Sequence, residues 1–296
     1  MIPVLFVVSV LIFSMVRITP TDPVASMTKG KNVSDETKQQ LRERYDLDKS
    51  PVEQYVIWIT DAMRLDLGES YQHKQSVTIL IQERMNVTLS LVLVSGLLAV
   101  LIAIPIGVIS AVNMNTILDK FLSILSLIFV ASPVFLTAII FMLIFSLNLK
   151  MFPAIGTGTW RHMVLPSIAL ALNMVALTSR ITRTTMIEQL GSDYIRTATA
   201  KGIPQSRVIM THALKNAMIP IITVTSVQIG SMLVGAVLVE SVFAMGGLGD
   251  LLLTGIKTAD YPVVQGVTLL LVFIFMCINL LVDVFYAILD PRIRLK

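Results

Sequence analysis

Apolar residues fall along this chain in long unbroken runs, not in the stripes of a soluble domain, and such runs predict helices long enough to cross a bilayer. Five occupy residues 87–112, 121–147, 163–179, 218–239 and 264–289, and a sixth, within residues 1–18, is apolar through Val16. The expectation is an all-α protein of six spans. The opening run has no basic residue ahead of it and no small-x-small cleavage site. It therefore reads as a retained first span, with a start expected a few residues further upstream, and not as a removable signal peptide. Pro105, Pro133, Pro166 and Pro220 lie within or at the edges of the runs. Neighbouring helices satisfy the carbonyls that such prolines free, and kinked helices suit a wall that moves.

Two polar regions interrupt the apolar pattern. Residues 19–86 form an extramembrane loop with helical spacing over 34–45 and an amphipathic helix over 52–65, through Tyr55, Val56, Ile59 and Met63. Residues 180–217 form a second island, too long for a tight connection. From Glu188 it reads EQLGSDYIRTATAKGIPQSRVIMTHALKNAMIP, two helices about a sharp break. Ser192 or Asp193 caps the first helix, and Tyr194, Ile195 and Ala198 share a face. Gly202 sits where a left-handed residue is wanted, and Pro204 fits the first turn of the second helix. The unit offers a small apolar and aromatic knob that suits a groove on another protein. An interfacial helix lying on anionic lipid is the alternative.

Charge orients the runs. The island carries six Lys/Arg (Arg180, Arg183, Arg196, Lys201, Arg207, Lys215) against Glu188 and Asp193, and the tail adds Arg292, Arg294 and Lys296. The 19–86 loop and the 240–263 segment are each net negative. The positive-inside rule puts the island and both termini in the cytoplasm and those two segments outside. The short loop at Asp119 and Lys120 is neutral and gives no orientation.

Composition agrees: 296 residues, 55% hydrophobic, 14% charged, mean hydropathy +0.80. Lipid is the solvent of most of this chain. The single cysteine, Cys277, has no partner for an intramolecular disulfide, and the sixteen methionines read as packing. No G-x-x-x-x-G-K-[ST], H-E-x-x-H, paired C-x-x-C or G-x-S-x-G occurs, and His73, His162 and His212 are scattered. The sequence thus offers no phosphate cradle, metal site or hydrolase nucleophile of its own. Asp283 is the clear carboxylate within a span, either a pathway contact or a polar contact between helices near Asn279. Glu240, just past the fifth span, reads equally as a vestibule residue or a solvated interface residue. Arg17 is expected to snorkel to the outer interface. No repeat relates the two halves, and few charges lie at membrane depth, which disfavours an ion-coupled transporter.

The 180–217 island resembles the cytoplasmic EAA loop of ABC importer permeases. The whole chain is similar to the first permease subunit of the dipeptide, oligopeptide and nickel branch. The likeness runs through Thr21-Asp22-Pro23-Val24, Asp66-Leu67-Gly68 with Ser70, Ser132-Pro133 and Leu165-Pro166-Ser167. It continues through Asp193 to Ala198, Ala200-Lys201-Gly202, Leu214-Lys215-Asn216-Ala217, Glu240-Ser241-Val242-Phe243 with Gly247-Leu248-Gly249, Asp283, and Asp290-Pro291-Arg292. Arg196 stands where the broader consensus has glutamate, and Leu214-Lys215 where it has Leu-Pro, both as in the peptide and nickel branch. Met245-Gly246 replaces Trp-Pro, and Ser76 stands where Pro-Val is common.

The resemblance implies a subunit of the bacterial or archaeal cytoplasmic membrane that holds no cofactor and is not itself an enzyme. Two ATP-binding subunits would use ATP and magnesium, a second, homologous permease chain would complete the pathway, and an extracytoplasmic solute-binding protein would deliver the cargo. Lipid surrounds the assembly and nucleic acid plays no part. Asp193, Tyr194, Ile195, Arg196, Ala198, Ala200, Lys201 and Gly202 would form the helix seated in an ATPase groove. Peptides are the expected cargo, with nickel, a metal chelate or glutathione as alternatives. A self-sufficient channel or ion-coupled transporter is the rival of another class.

Overall fold

The computed structural model describes residues 2–18, 23–28 and 33–289. Among them the chain is helical, with no strand beyond an isolated bridge between Glu69 and Ser76. In order come α1 (Ile2–Ile18), α2 (Pro23–Met27), α3 (Asp35–Arg44), α4 (Pro51–Met63), α5 (Val77–Val112), α6 (Ile117–Ala131) and α7 (Val134–Asn148). Then follow α8 (Trp160–Leu190), α9 (Asp193–Ala200), α10 (Gln205–Val242), α11 (Leu248–Lys257) and α12 (Tyr261–Leu289). The last stretch of α7, Met142–Asn148, and an early stretch of α10, Val208–Ala213, are widened to π geometry.

Four helices, α5, α8, α10 and α12, are long and apolar enough to cross a membrane, and α6 with α7 makes a fifth candidate. The apolar α1, at 17 residues, is shorter. The third expected span is thus not one kinked run, because α6 and α7 meet at 106°. The cause is local. Pro133 has no N–H to continue the ladder and forces Ser132 out of the helical region, to ψ 127°. Ser132 ends α6 by donating both its amide and its hydroxyl to the Ile128 carbonyl, at 3.0 and 2.8 Å. By contrast, Pro105, Pro166 and Pro220 lie inside continuous helices.

Helix boundaries outside the apolar runs were the harder part. α5 begins ten residues before its expected start, and α8 carries on through Leu190, so that the polar island begins as a continuation of that helix. The expected soluble helices are present. Ser34 caps α3 through the Thr37 amide, and Ser50 and Glu53 form a capping box at the start of α4 with Pro51 in the first turn.

Contacts divide the chain into two compact units. The first comprises residues 1–88 and 245–276. Its core gathers Val77, Leu80, Ile81, Leu248, Leu251, Val263 and Val267, with a smaller cluster of Val16, Tyr71, Ala259 and Tyr261. α4 packs on α1 through Phe13, whose ring meets Tyr55 edge-on at 5.2 Å and Trp58 at 5.9 Å. A buried carboxylate ties the loop before α5 to the start of α12. Asp260 accepts hydrogen bonds from the Ser70 hydroxyl at 2.5 Å and from the Tyr71 and Gln72 amides at 3.0 and 3.1 Å.

The second unit comprises residues 89–244 and 277–296. α8 is its central helix: 61% of its most apolar window is buried, against 33% for α5 and α10. Its buried positions are largely small, among them Ser167, Ala169, Ala171, Ala176, Ser179 and Thr182, and small residues let membrane helices pack closely. The closest crossing is at Gly107 of α5. A Cβ there would stand 2.7 Å from the Ser179 carbonyl and overlap Thr182, so only glycine fits.

Candidate functional site

The island folds as a helix, a turn and a helix laid against its own unit. α8 ends at Gly191, whose amide donates to the Ile187 carbonyl, and Ser192 takes the extended N-cap position of α9. The Ser192 hydroxyl turns back to the Gln189 carbonyl at 2.5 Å and so braces the bend instead of capping an α9 amide. At the other end Lys201 is the C-cap, and Gly202 follows with φ +74°. The Gly202 amide donates to the Thr199 carbonyl at 2.9 Å and the Ile203 amide to the Ala198 carbonyl at 3.3 Å. This pair of bonds is the Schellman closure, with Ile203 packed inward as the motif requires. Pro204 occupies the N-cap of α10, one position earlier than expected.

The predicted site residues divide by direction. Ile195 and Ala198 are buried in a cluster with Ala111, Met186, Val208, Ala213, Ala217 and Ile221. They anchor α9 to α5, α8 and α10. Asp193, Tyr194, Arg196, Ala200, Lys201 and Gly202 face outward. Tyr194 is 40% exposed, and its hydroxyl donates to Gln189 Oε1 at 2.7 Å, which holds the ring beside the α8–α9 bend. Arg196 reaches Asp193 at 3.5 Å, an exposed contact of little energetic consequence. The shared face read from the sequence is therefore an inward pair, Ile195 and Ala198, beside an outward tyrosine.

A second polar centre lies in the same unit, and no motif announced it. Asp119, in the first turn of α6, is 3% exposed. Arg183 of α8 grips it with a two-point fork, Nε to Oδ1 at 2.6 Å and Nη2 to Oδ2 at 2.8 Å. The Ser110 hydroxyl of α5 donates to Oδ1 at 2.5 Å, and the Asn115 amide to Oδ2 at 2.9 Å. Three helices are thus joined at one carboxylate. Bidentate, charge-assisted bonds of this kind are stronger and more directional than neutral ones. The available signal was a lone Asp-Lys pair and one arginine among six basic residues, which carries no information about pairing.

The remaining predicted polar positions lie elsewhere. Glu240, in the last turns of α10, is fully buried, which corrects the reading of it as a solvated interface residue. Asp283 falls in α12, and its side chain lies outside the described residues. Arg17 does not simply reach for water. Its Nε donates to Gln54 Oε1 at 3.1 Å, its Nη2 bonds the same oxygen, and its guanidinium lies 3.5 Å from the Phe13 ring centroid. Among the described residues no three of His, Cys, Asp and Glu converge as a metal site would require.

Comparison with known proteins adds the family. Residues 103–295 match the model of the binding-protein-dependent transport system inner membrane component, and residues 1–92 match that of the N-terminal region of the same membrane component. A Brucella suis biovar 1 protein named "Putative peptide permease protein" is 37% identical over 98% of this chain and 95% of its own. The glutathione transport system permease protein GsiC of Escherichia coli O6:H1 is 36% identical over 100% of this chain and 96% of its own. In fold, 71% of this chain superposes on 96% of a chain of the MetNI methionine ABC transporter in an inward-facing form, with TM-score 0.60 and 19% identity. On these matches, which together span nearly the whole sequence, the chain belongs to the family of binding-protein-dependent transport system inner membrane components.

Proposed function

We propose that this chain is the first permease subunit of an ATP-driven importer of di- or oligopeptides, with α9 as the helix that takes the stroke of a partner ATPase. In this reading α1, α5, the broken pair α6–α7, α8, α10 and α12 are the six spans, with α9 and both termini in the cytoplasm. Two ATP-binding subunits, a homologous second permease and an extracytoplasmic binding protein complete the assembly. The observation that carries the reading is the two-sidedness of α9. Ile195 and Ala198 lock it into the unit, while Tyr194, Arg196 and Lys201 project from the opposite side.

A helix fixed by apolar anchors at its back and closed by a tight turn behaves as a rigid lever, and a rigid element can bias a two-state equilibrium where a floppy loop cannot. The cluster beneath α9 contains Ala111 of α5 and Met186 of α8, which flank the Ser110–Asp119–Arg183 junction in sequence. Movement of α9 would therefore be passed to the start of α6 through a stiff polar joint. Glutathione is the second cargo reading, favoured by the likeness to GsiC at nearly the same identity as the peptide permease protein.

Affinity purification of the tagged chain from native membranes tests this. Wild type is expected to bring down Walker-loop ATPases and a second permease, with Tyr194→Asp and Gly202→Val reducing the ATPases several-fold. A chain that purifies alone, unchanged in every variant, would sink the proposal.

A further inference from the structure

The first unit contains a cavity of about 210 Å³ that the importer reading does not use. Its walls are aromatic, with Tyr45, Trp58, Tyr71 and Tyr261 around it, and Arg17 and Gln265 also line it. Beside the tyrosine hydroxyls, three of these residues carry N–H donors. The Trp58 indole N–H is buried without an acceptor, and so is the Gln265 side-chain amide on a residue only 4% exposed. The Arg17 guanidinium is held by the neutral Gln54 carbonyl oxygen and its own helix, and no carboxylate pairs with it among the described residues. The acidic residues on the wall are already engaged, Glu69 by Arg44 at 3.1 Å and Asp46 by Lys49 at 2.8 Å.

Buried donors without acceptors are costly, and an indole N–H has no way to reverse its role. A cavity that combines a cation with no carboxylate partner and two buried donors with no acceptor among the described residues, together with an aromatic wall, has the polarity of a site for an acceptor anion attached to an apolar body. We infer that this cavity binds a small monocarboxylate bearing one apolar or aromatic group, with Arg17 and the Gln265 amide on the carboxylate and the aromatic rings around the apolar group. Its volume lies below the roughly 300–1,000 Å³ of sites for drug-sized ligands, so it accepts a group about one residue in size and not an extended peptide. Both a peptide terminus and a fatty acid carry this chemistry.

Trp58 supplies the assay. It is one of two tryptophans, and the other, Trp160, is 74% exposed, so Trp160→Phe leaves Trp58 as the sole tryptophan, excited selectively beyond the tyrosine absorption band. The full chain in that background, in lipid nanodiscs, is titrated with N-acetylphenylalanine, its amide, and octanoate. The expected result is a saturable change in Trp58 emission with a carboxylate. The amide should bind at least ten-fold more weakly, and Gln265→Leu should weaken binding several-fold in a chain that melts as wild type does. Arg17→Lys, which retains the charge, should bind more tightly than Arg17→Gln. Tighter binding of N-acetylphenylalanine identifies a water-soluble ligand, and tighter binding of octanoate a lipid-derived one. Absence of saturation with either acid, or equal affinity for acid and amide, overturns the inference. The assay needs no ATPase, so it stands or falls apart from the importer reading.

Discussion

Among the described residues each unit buries one aspartate close to a turn, and the two are held in different ways. Asp260 is bound by backbone amides and a hydroxyl, with no cation paired to it among the described residues, whereas Asp119 is bound by a forked arginine along with Ser110 and one amide. The first arrangement moulds a loop, because amides at Tyr71 and Gln72 accept only one path of the chain around the carboxylate. The second fastens helices to one another, because the arginine reaches across from α8 and its two-point fork fixes the α6 carboxylate in place. A loop template and a helix rivet use the same residue type, and the donors decide which it becomes.

This contrast can be broken most severely at the template. Asp260→Ala leaves the buried Ser70 hydroxyl and Tyr71 amide without an acceptor, at a cost of about 2–5 kcal/mol in the first unit. Thermal unfolding followed by Trp58 emission should show it, and a melt like that of wild type would refute the template role. At the rivet, Arg183→Gln should cost less, about 1–3 kcal/mol, because Arg183 is a quarter exposed and water relieves part of the loss. The exchange Asp119→Arg with Arg183→Asp should fail to restore stability, since the Ser110 hydroxyl and Asn115 amide would then face a guanidinium. Full rescue by the exchange would mean that charge alone matters at this joint.

At the α9 turn the expected effect is smaller. Nothing lies within 4 Å of a Cβ placed on Gly202, so Gly202→Ala should cost about 1 kcal/mol from the positive φ alone, and Gly202→Val more, because a β-branched side chain is strained further in that backbone region. A cost for alanine far above that value in the isolated chain would reveal a neighbour the open turn does not have. The smallest effect concerns pH. Burial pushes the Tyr71 phenol above the ordinary tyrosine range, opposed by the nearby Arg17 charge. The folded state therefore holds this proton more tightly than the unfolded chain does. Its stabilisation is complete below about pH 10 and is lost as pH rises above that value. Tyr71→Phe should flatten the alkaline limb of a melting-temperature profile, and an unchanged limb would assign it to other groups.

Much of the fold was legible because lipid imposes a simple rule: twenty apolar residues in a row have few alternatives to a helix. The α9 turn was legible because Gly202 and Pro204 have backbone preferences of their own, independent of what packs around them. The 106° break was only half visible. Pro105, Pro133, Pro166 and Pro220 looked alike in sequence, yet of the four only Pro133 stands at a break between helices, while the other three lie inside continuous helices. Among the site residues, Tyr194 and Ile195 are adjacent in sequence, yet one is exposed and the other buried, because the side of α9 that is buried depends on where α8 and α10 run.

By itself the sequence determined the solvent, the all-helical character of the apolar runs and the short turn after α9, since these follow from hydrophobicity and from the dihedral limits of single residues, whereas the number of spanning helices did not follow from it. Only the tertiary structure decided which polar residues are buried and with whom. Asp119 and Arg183 stand 64 positions apart, and Asp260 is 190 from Ser70. No local pattern encodes such a pair, because its energy exists only once the helices have packed and excluded water from around the charge.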